Sequence, residues 1–516
     1  MADLFDFIVI GAGPAGCALA ACLADSPEQP RVALVETGPR RAGLLSDLPL
    51  GLAALVRMRG RLNYGYRTVP QAQLDGRAGY QPRGRGVGGS SLINAMVCIR
   101  GQPEDYDGWA AAGCAGWGWS DVLPYFERLK LPVSDLRLPS PTAADFIEAA
   151  ADLGFVRNPD FNGPKQEGVG FYRVFQRDGR RCNAGEAYLG SGVERANLTM
   201  VTGVQARKIL FEGKRAVGVD LGRRALRARR EIIVCGGVFG SPQLLMLSGI
   251  GDGAHLGALG IPVLHHLPAV GRNLQDHLDY TANVATAAPG LIGIGPSLLV
   301  DAVREFGAWR KEGRGFLTTN VSEAGGFVRS APEVERPDLQ FHFCIAIVDR
   351  HGKRLHRRPG YALHVCVLRP KSRGSVTLRD ADPASPPLID PNYLSHPDDL
   401  ALTIRGARLV YRILDQQPLR RHGGQSLYPP RDLSDEGLAE IIRQRADTIY
   451  HPVGTCRMGS DAGSVVDPTL KVRGISGLRV ADASIMPALI SGNTEAPSAM
   501  IGEKAADLIL DRMFAL

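Results

Sequence analysis

The clearest hydrophobic pattern opens the chain. FDFIVI (5–10) is a nearly continuous apolar run, as expected of a strand buried on both faces. GAGPAG follows, and the Ala/Leu-rich stretch after it predicts a helix over Pro14–Ala24. RVALVE (31–36) supplies a second apolar run, completing a strand–helix–strand half-unit. TMVTGVQARKILFEGKRAVGVDL (199–221) alternates and turns like a hairpin, and REIIVCGG (230–237) reads as another buried strand ending in glycines. SPQLLMLSGIG (241–251) predicts a short helix with Pro242 at its start and Gly249 at its close. LRVADAS (478–484) predicts a last strand running into a turn, and 496–513 a periodic final helix. LQFHFCIAIV (339–348) and YALHVCVLRP (361–370) predict two further strands. In 295–315, Leu299, Val303 and Phe306 recur at helical spacing with basic residues after Trp309, which predicts a packed surface helix. A helix touching a membrane or flanking a substrate entrance is the alternative.

The glycines between the first strand and helix carry chemistry. Gly11, Gly13 and Gly16, with Ala12 and Ala15 between them, fit GxGxxG. The first allows a tight turn, the second lets backbone approach a pyrophosphate, and the third permits close helix–strand packing. The helix N-terminus then points its amides at the anion. Glu36 ends the second strand twenty residues past Gly16, placed to accept hydrogen bonds from an adenosine ribose. Its charge opposes a phosphorylated ribose. The unit binds a dinucleotide, and by itself does not choose between FAD and NAD.

Composition narrows the class. Hydrophobic residues make up 44% and charged residues 22%, ordinary for a globular enzyme-sized core. The net charge of +7 is mild, and its densest patches, RRALRARR (223–230) and RHGKRLHRRP (350–359), are not interleaved with aromatics. They read as solvated surface with at most a weak pull towards anionic lipid, and no nucleic-acid partner is expected. Nine cysteines, odd in number and without a CxxC pair, read as reduced thiols, and no metal site is expected. Asp3 and Asp6 stand where a signal peptide would be basic, and no run reaches the length of a membrane span. A soluble cytoplasmic protein is the expectation, with room for a peripheral membrane contact; the oligomeric state is not legible.

A second glycine cluster, PRGRGVGGSSLINAMVCIRG (82–101), offers bare backbone and two serine hydroxyls to another face of a large anionic cofactor. Here the chain resembles the glucose–methanol–choline (GMC) oxidoreductases, which are FAD enzymes. The resemblance covers essentially the whole chain: GRGVGGSSLINAMVCIRG (84–101), GVFGSPQLLMLSGIG (237–251), GRNLQDH (271–277), YHPVGTCRMG (450–459) and LRVADASIMPALISGNTEAP (478–497) follow the family's order. Stretches such as RPDLQFHF (336–343) and 369–394 resemble the branch of aliphatic alcohol dehydrogenases and choline dehydrogenase.

The resemblance implies an α/β (α+β overall) fold, a Rossmann-like FAD-binding domain (1–135, 190–280 and 445–516) interleaved with a substrate domain (136–189 and 281–444) on a mainly antiparallel sheet. It adds Arg85, Val87, Gly88, Gly89, Ser90, Asn94, Ala95, Met96, Val97, Val204, Asp482 and Ala483 to the cofactor contacts, with Val204 near the adenine. Some members tether FAD through a histidine before the signature asparagine; Ile93 stands there, so FAD is expected to be non-covalent. Cys98 and Val238 are departures that read as packing changes, and 130–145 looks short for the family.

Alcohol oxidation removes a hydride from carbon and a proton from oxygen, and a base titrating near neutrality favours histidine. The resemblance makes His451 that base and Asn493 the partner that orients the substrate oxygen. His277 reads as cofactor-adjacent or structural; His342, His351 and His364 carry no motif. Cys456 and Met458 read as packing residues beside His451. Glu495 stands where asparagine is common, putting a negative charge two residues beyond Asn493. The expected function is oxidation of a neutral primary alcohol, with electrons passed to a quinone or other non-oxygen acceptor. An oxidase using O2, a non-redox hydroxynitrile lyase and a degenerate binding protein are the alternatives.

Overall fold

The computed structural model describes residues 4–190, 195–293 and 296–511. The apolar opening run forms the strand Leu4–Ile10, which pairs in parallel with Val32–Glu36 on one side and Ala225–Val234 on the other. Leu198–Thr202 extends this sheet beside Val32–Glu36, and Leu478–Val480 pairs with the end of Ala225–Val234, both in parallel. The hairpin is shorter than its sequence pattern: only Lys208–Glu212 and Arg215–Asp220 form it, because 198–202 is drawn into the parallel sheet. The basic patch 223–230 is partly the outer half of the Ala225–Val234 strand, where it pairs with the hairpin.

The second large sheet is antiparallel. Its strands run in the order Gln425–Ser426, Leu278–Ala285, Gly360–Val367, Leu339–Cys344, Ser322–Val328, Gly168–Phe171, with Asp447–Thr448 also on Leu278–Ala285. Alternation along Leu339–Cys344 sorts two faces. Leu339, Phe341 and Phe343 enter a core with Leu363, Val365 and the helices Pro141–Asp152 and Pro397–Leu414. Gln340, His342 and Cys344 face the other way, in register with Cys366, His364 and Ala362. Leu278–Ala285 and Asp447–Thr448 belong to this second sheet, so the sheets separate just before residue 278 and after 448 rather than at 280 and 445. No glycine or proline from 272 to 288 marks that crossing.

Two helices differ from expectation. Pro296–Glu312 is helical; of the predicted stripe Val303 is 78% exposed, Phe306 is half-buried against Trp309, and the side chain of Leu299 lies outside the described residues. Its anchor is Trp309, fully buried, whose indole donates to the Gly179 carbonyl at 3.0 Å. The final helix is Glu495–Ile509, with the expected end at 513 outside the described residues, and packs against Pro14–Ala24; a Cβ on Gly502 would lie 2.2 Å from the Ala15 carbonyl oxygen. Among the described residues no helix is long and apolar enough to cross a membrane.

Candidate active site

A cavity of about 730 Å³ runs between the two sheets, with the glycine turn at one end and His451 and Asn493 in its wall. Each glycine of the turn has a distinct physical reason. Gly11 has φ +104°, and a Cβ there would sit 2.2 Å from the Cys235 carbonyl oxygen. A Cβ on Gly16 would sit 1.9 Å from the Gly11 carbonyl oxygen. At Gly13 a Cβ would meet nothing within 4 Å, because this residue faces the cavity. The helix starting at Pro14 has no side-chain cap, so its first amides and its dipole are left for an anion. That is the arrangement a pyrophosphate requires, and the residues present therefore fit a dinucleotide.

Gly11, Gly13, Ala15, Glu36, Gly89, Ser90, Asn94, Ala95, Met96, Val97, Asp482 and Ala483 all line the cavity. Ala12, Gly16, Arg85, Val87, Gly88 and Val204 stand outside its lining. Gly16 is consumed by packing. The Ala12 N–H donates to Glu36 Oε2 at 3.0 Å, and Glu36 Oε1 accepts from the Gly38 and Gly86 amides at 2.7 and 3.0 Å. Glu36 thus ties the cradle to the second glycine loop, with about one lone-pair site left for a sugar hydroxyl. The Gly88 N–H donates to the Ala12 carbonyl at 2.7 Å and the Val87 N–H to Pro39 at 3.1 Å, so this stretch, with Arg85, backs the cavity. Val204 is partly buried against the core and does not reach the cavity, whereas its neighbours Gln205 and Ala206 do. Ile93 lines the cavity and offers no nucleophile.

The helix carrying GVFGSPQ begins at Gly237, so Pro242 lies inside it rather than at its start. Proline has no N–H to give the Val238 carbonyl four residues back. The Thr455 hydroxyl donates there instead, at 2.6 Å. Thr455 belongs to HPVGT, so the proline defect becomes the dock for the histidine segment. Asp482 caps the same helix, accepting from the Gly237 N–H at 2.9 Å and the Ser241 hydroxyl at 2.5 Å.

His451 is aimed by a strained turn. Tyr450 has φ +77°, a conformation costing about 1–3 kcal/mol for a bulky residue. Its N–H donates to Thr448 Oγ1 at 2.7 Å, and Arg83 Nη2 donates to its carbonyl at 2.9 Å. The His451 N–H donates to Asp276 Oδ1 at 3.0 Å, while Asp276 Oδ2 accepts from Thr448, Tyr393 and Gln81. The His451 ring has Nε2 3.0 Å from Asn493 Nδ2 and Nδ1 3.0 Å from His277 Nδ1. Burial pushes its pKa well below the ordinary 6.5, reinforced by His277, His342 and Arg83. Asn493 is held by its own turn, where Ser491 donates through N–H and Oγ to Asp105 at 2.6 and 2.9 Å. Cys456 and Met458 are fully buried and stand outside the cavity lining. Among the described residues no three metal-ligating side chains cluster.

Glu495 turns away from this pair. Its Oε2 accepts from Asn94 Nδ2, and Asn94 Oδ1 accepts from Arg181 Nη1 at 2.8 Å. Oε1 finds no hydrogen-bond partner among the described residues. Burial raises the carboxyl from 4.5 to about 7, against the pull of Asn94 and Arg181. The native state therefore binds this proton more tightly than the unfolded chain, and stability falls as pH rises from about 4.5 to about 7. Glu495→Gln should leave stability unchanged at pH 4.5 and raise it by about 2–4 kcal/mol above pH 7. Urea unfolding of the holoprotein across that range measures this; a pH-independent difference would contradict it.

The GMC oxidoreductase family profiles match residues 5–279 and 370–502. The chain is 44% identical over 533 residues to an alcohol dehydrogenase (acceptor) of Pseudomonas putida, covering 99% of this chain and 96% of that protein. It is 40% identical to an oxygen-dependent choline dehydrogenase of Rhizobium etli, covering 98% and 96%. Among solved structures, pyridoxine 4-oxidase from Mesorbium loti superposes with a TM-score of 0.85 at 32% identity, covering 97% of this chain and 98% of that one.

Proposed function

Because this chain belongs to the GMC oxidoreductase family, FAD enzymes acting on CH–OH groups, we propose that it oxidises a neutral primary alcohol to the aldehyde, with His451 as general base. When bound, FAD supplies the hydride acceptor. The observation that carries the reading is the His451 Nε2–Asn493 Nδ2 pair, 3.0 Å apart in the cavity wall. Nε2 takes the hydroxyl proton, and Asn493, which cannot accept a proton at neutral pH, donates from Nδ2 to the substrate oxygen. Gly11, Gly13 and Ala15 would hold the pyrophosphate, Glu36 a ribose hydroxyl, and the Gly89–Val97 loop with Asp482 and Ala483 the rest of the cofactor, without a covalent bond. Residues 1–135, 190–277 and 449–516 make up the FAD-binding part on this reading, and the antiparallel sheet supplies the substrate wall.

Two carboxyl groups near this wall argue for a neutral substrate. Glu495 is engaged by Asn94, and Asp279 by His364 Nδ1 at 2.6 Å and Thr281 Oγ1 at 2.9 Å. Burial opposes charge on His364, but Asp279 prevails and holds its pKa up to about 10, so this carboxylate already has its cation. Burial pushes Glu495 towards its neutral form and Asp279 is paired with His364, so neither offers an uncompensated charge to a quaternary ammonium. The similarity to an acceptor-dependent alcohol dehydrogenase supports a quinone or another non-oxygen acceptor. The test is anaerobic bleaching of the flavin by a panel of alkanols, aryl alcohols and choline, followed by admission of air. Alkanols should bleach it and air should restore the colour slowly; rapid recovery would make the enzyme an oxidase, and turnover without bleaching a lyase.

The depressed pKa of His451 sets a pH dependence. The ring is already unprotonated at neutral pH, so the base is lost only as pH falls through a value well below 6.5. The rate of alcohol-driven reduction should be flat from about pH 6.5 to 8 and fall on the acid side. An inflection at or above 6.5 that persists in Glu495→Gln, whose wild-type carboxyl titrates at about 7, would show that the charged form of His451 is not suppressed.

A further inference from the structure

Two hydrogen-bond chains converge on His451, and each starts at a main-chain carbonyl. On one side the Leu368 carbonyl lies 3.0 Å from His277 Nε2. A carbonyl only accepts, so Nε2 of His277 carries a proton. Full burial pushes the His277 pKa down to about 4, leaving the ring neutral and its Nδ1 a bare lone pair. His451 Nδ1, 3.0 Å away, must then be the donor.

On the other side the Tyr172 hydroxyl donates to the Phe341 carbonyl at 2.6 Å. Its oxygen therefore accepts from Gln340 Nε2 at 3.2 Å, and the same amide donates to Asn493 Oδ1 at 3.1 Å. Asn493 is left with its Nδ2 towards His451 Nε2, which must accept. Apart from His451 the two chains share no member, and both demand a proton on Nδ1 and a lone pair on Nε2. The opposite tautomer would set lone pair against lone pair at His277 and N–H against N–H at Asn493.

We propose that His277 and Gln340 are positioning residues that lock His451 in its Nδ1–H tautomer, so that the Nε2 lone pair meets the substrate oxygen. This rests on the reading of His451 as base and Asn493 as orienting partner. His277 and Gln340 are buried outside the cavity lining and act only through those two. When Nε2 gains the substrate proton, Nδ1–H goes on donating to His277, so nothing in the relay must turn. Asn493, held from behind by Gln340, keeps its Nδ2 directed at the same oxygen. The other titratable or charged groups nearby are Asp276 on the His451 N–H, Arg83 on Tyr450, His342 on the facing strand and Arg369 beside Leu368. None of these four hydrogen-bonds to a ring nitrogen of the His277–His451 pair.

The direct test is long-range ¹H–¹⁵N NMR of the FAD-loaded enzyme labelled at histidine, with His451→Ala and His277→Leu used for assignment. His451 should appear as Nδ1–H and His277 as Nε2–H; an Nε2–H His451 overturns the proposal without recourse to any variant. In kinetics, His277→Leu should lower kcat by about 10–100-fold with KM and FAD content unchanged. His277→Gln, which keeps a donor for Leu368 and an acceptor for His451, should recover most of that rate. Wild-type rates in His277→Leu, or equal losses in both variants, would also overturn it. Retained flavin reduction in His451→Ala would instead remove the underlying reading and leave the tautomer measurement standing.

Discussion

Replacing His451 by alanine should slow alcohol-driven flavin reduction by about 10²–10⁴-fold and leave FAD in place. The loss is that of the proton acceptor alone. The contact that sets the turn is the residue's backbone N–H to Asp276, which alanine retains, as are the Thr448 and Arg83 bonds that hold the strained Tyr450. The Thr455–Val238 dock, four residues on, is likewise untouched. His277 Nδ1 and Asn493 Nδ2 each lose a partner, which costs local stability of about 1–3 kcal/mol without reaching the glycine cradle. Flavin absorbance after purification reports cofactor content, and anaerobic stopped-flow mixing with alcohol reports the rate. A variant that reduces its flavin at close to the wild-type rate would take the base role away from His451.

The cradle was legible because its physics is local. An apolar run, three glycines at fixed spacing and an acid at the next strand end lie within one stretch of chain. What the pattern did not show is that Glu36 already serves three backbone amides, two of them from other loops. His451 and Asn493 were legible only through the family's motifs, since nothing in the periodicity brings them together. Their supports come from sheet register, which links residues far apart in sequence. One signal was available: Gln340, His342 and Cys344 alternate with Leu339, Phe341 and Phe343, so one face of an otherwise apolar strand had to meet something polar.

Other misreadings have a common cause. Pro242 looked like a helix start because an interior proline is costly; Thr455, more than two hundred residues away, satisfies the carbonyl that the proline leaves without a donor. The direction of Glu495 was not legible two residues beyond Asn493, and it is set by Asn94, itself held by Arg181. The stripe of 295–315 suggested a packed surface helix, and the packing is concentrated at Phe306 and Trp309 near its end. In each case a local rule was overridden by one distant polar or aromatic partner.

The glycine turn allows two functions of one motif to be separated. Gly13 has φ −73° and ψ −175°, extended backbone open to any residue, and stands at the N-cap of Pro14–Ala24. Aspartate is a favoured N-cap, so Gly13→Asp should fold as well as the wild-type apoprotein. Its carboxylate, however, would project into open cavity at the helix terminus where the proposed reading puts the pyrophosphate. Like charge at that point costs several kcal/mol, about a 10³-fold loss of FAD affinity, so the protein should emerge folded and colourless. Gly16→Ala does the reverse. Its Cβ would lie 1.9 Å from the Gly11 carbonyl oxygen and 3.2 Å from Cys235 Cβ, with rigid backbone on the near side. Helix and strand must separate to admit it, at a cost of about 1–3 kcal/mol or more. Stability should be compared between apoproteins, because bound FAD stabilises whichever variant retains it. Melting of apo Gly13→Asp close to apo wild type, together with a lowered melt for apo Gly16→Ala, is the expected pair of results. FAD retained by Gly13→Asp would show that the pyrophosphate does not lie at this helix terminus.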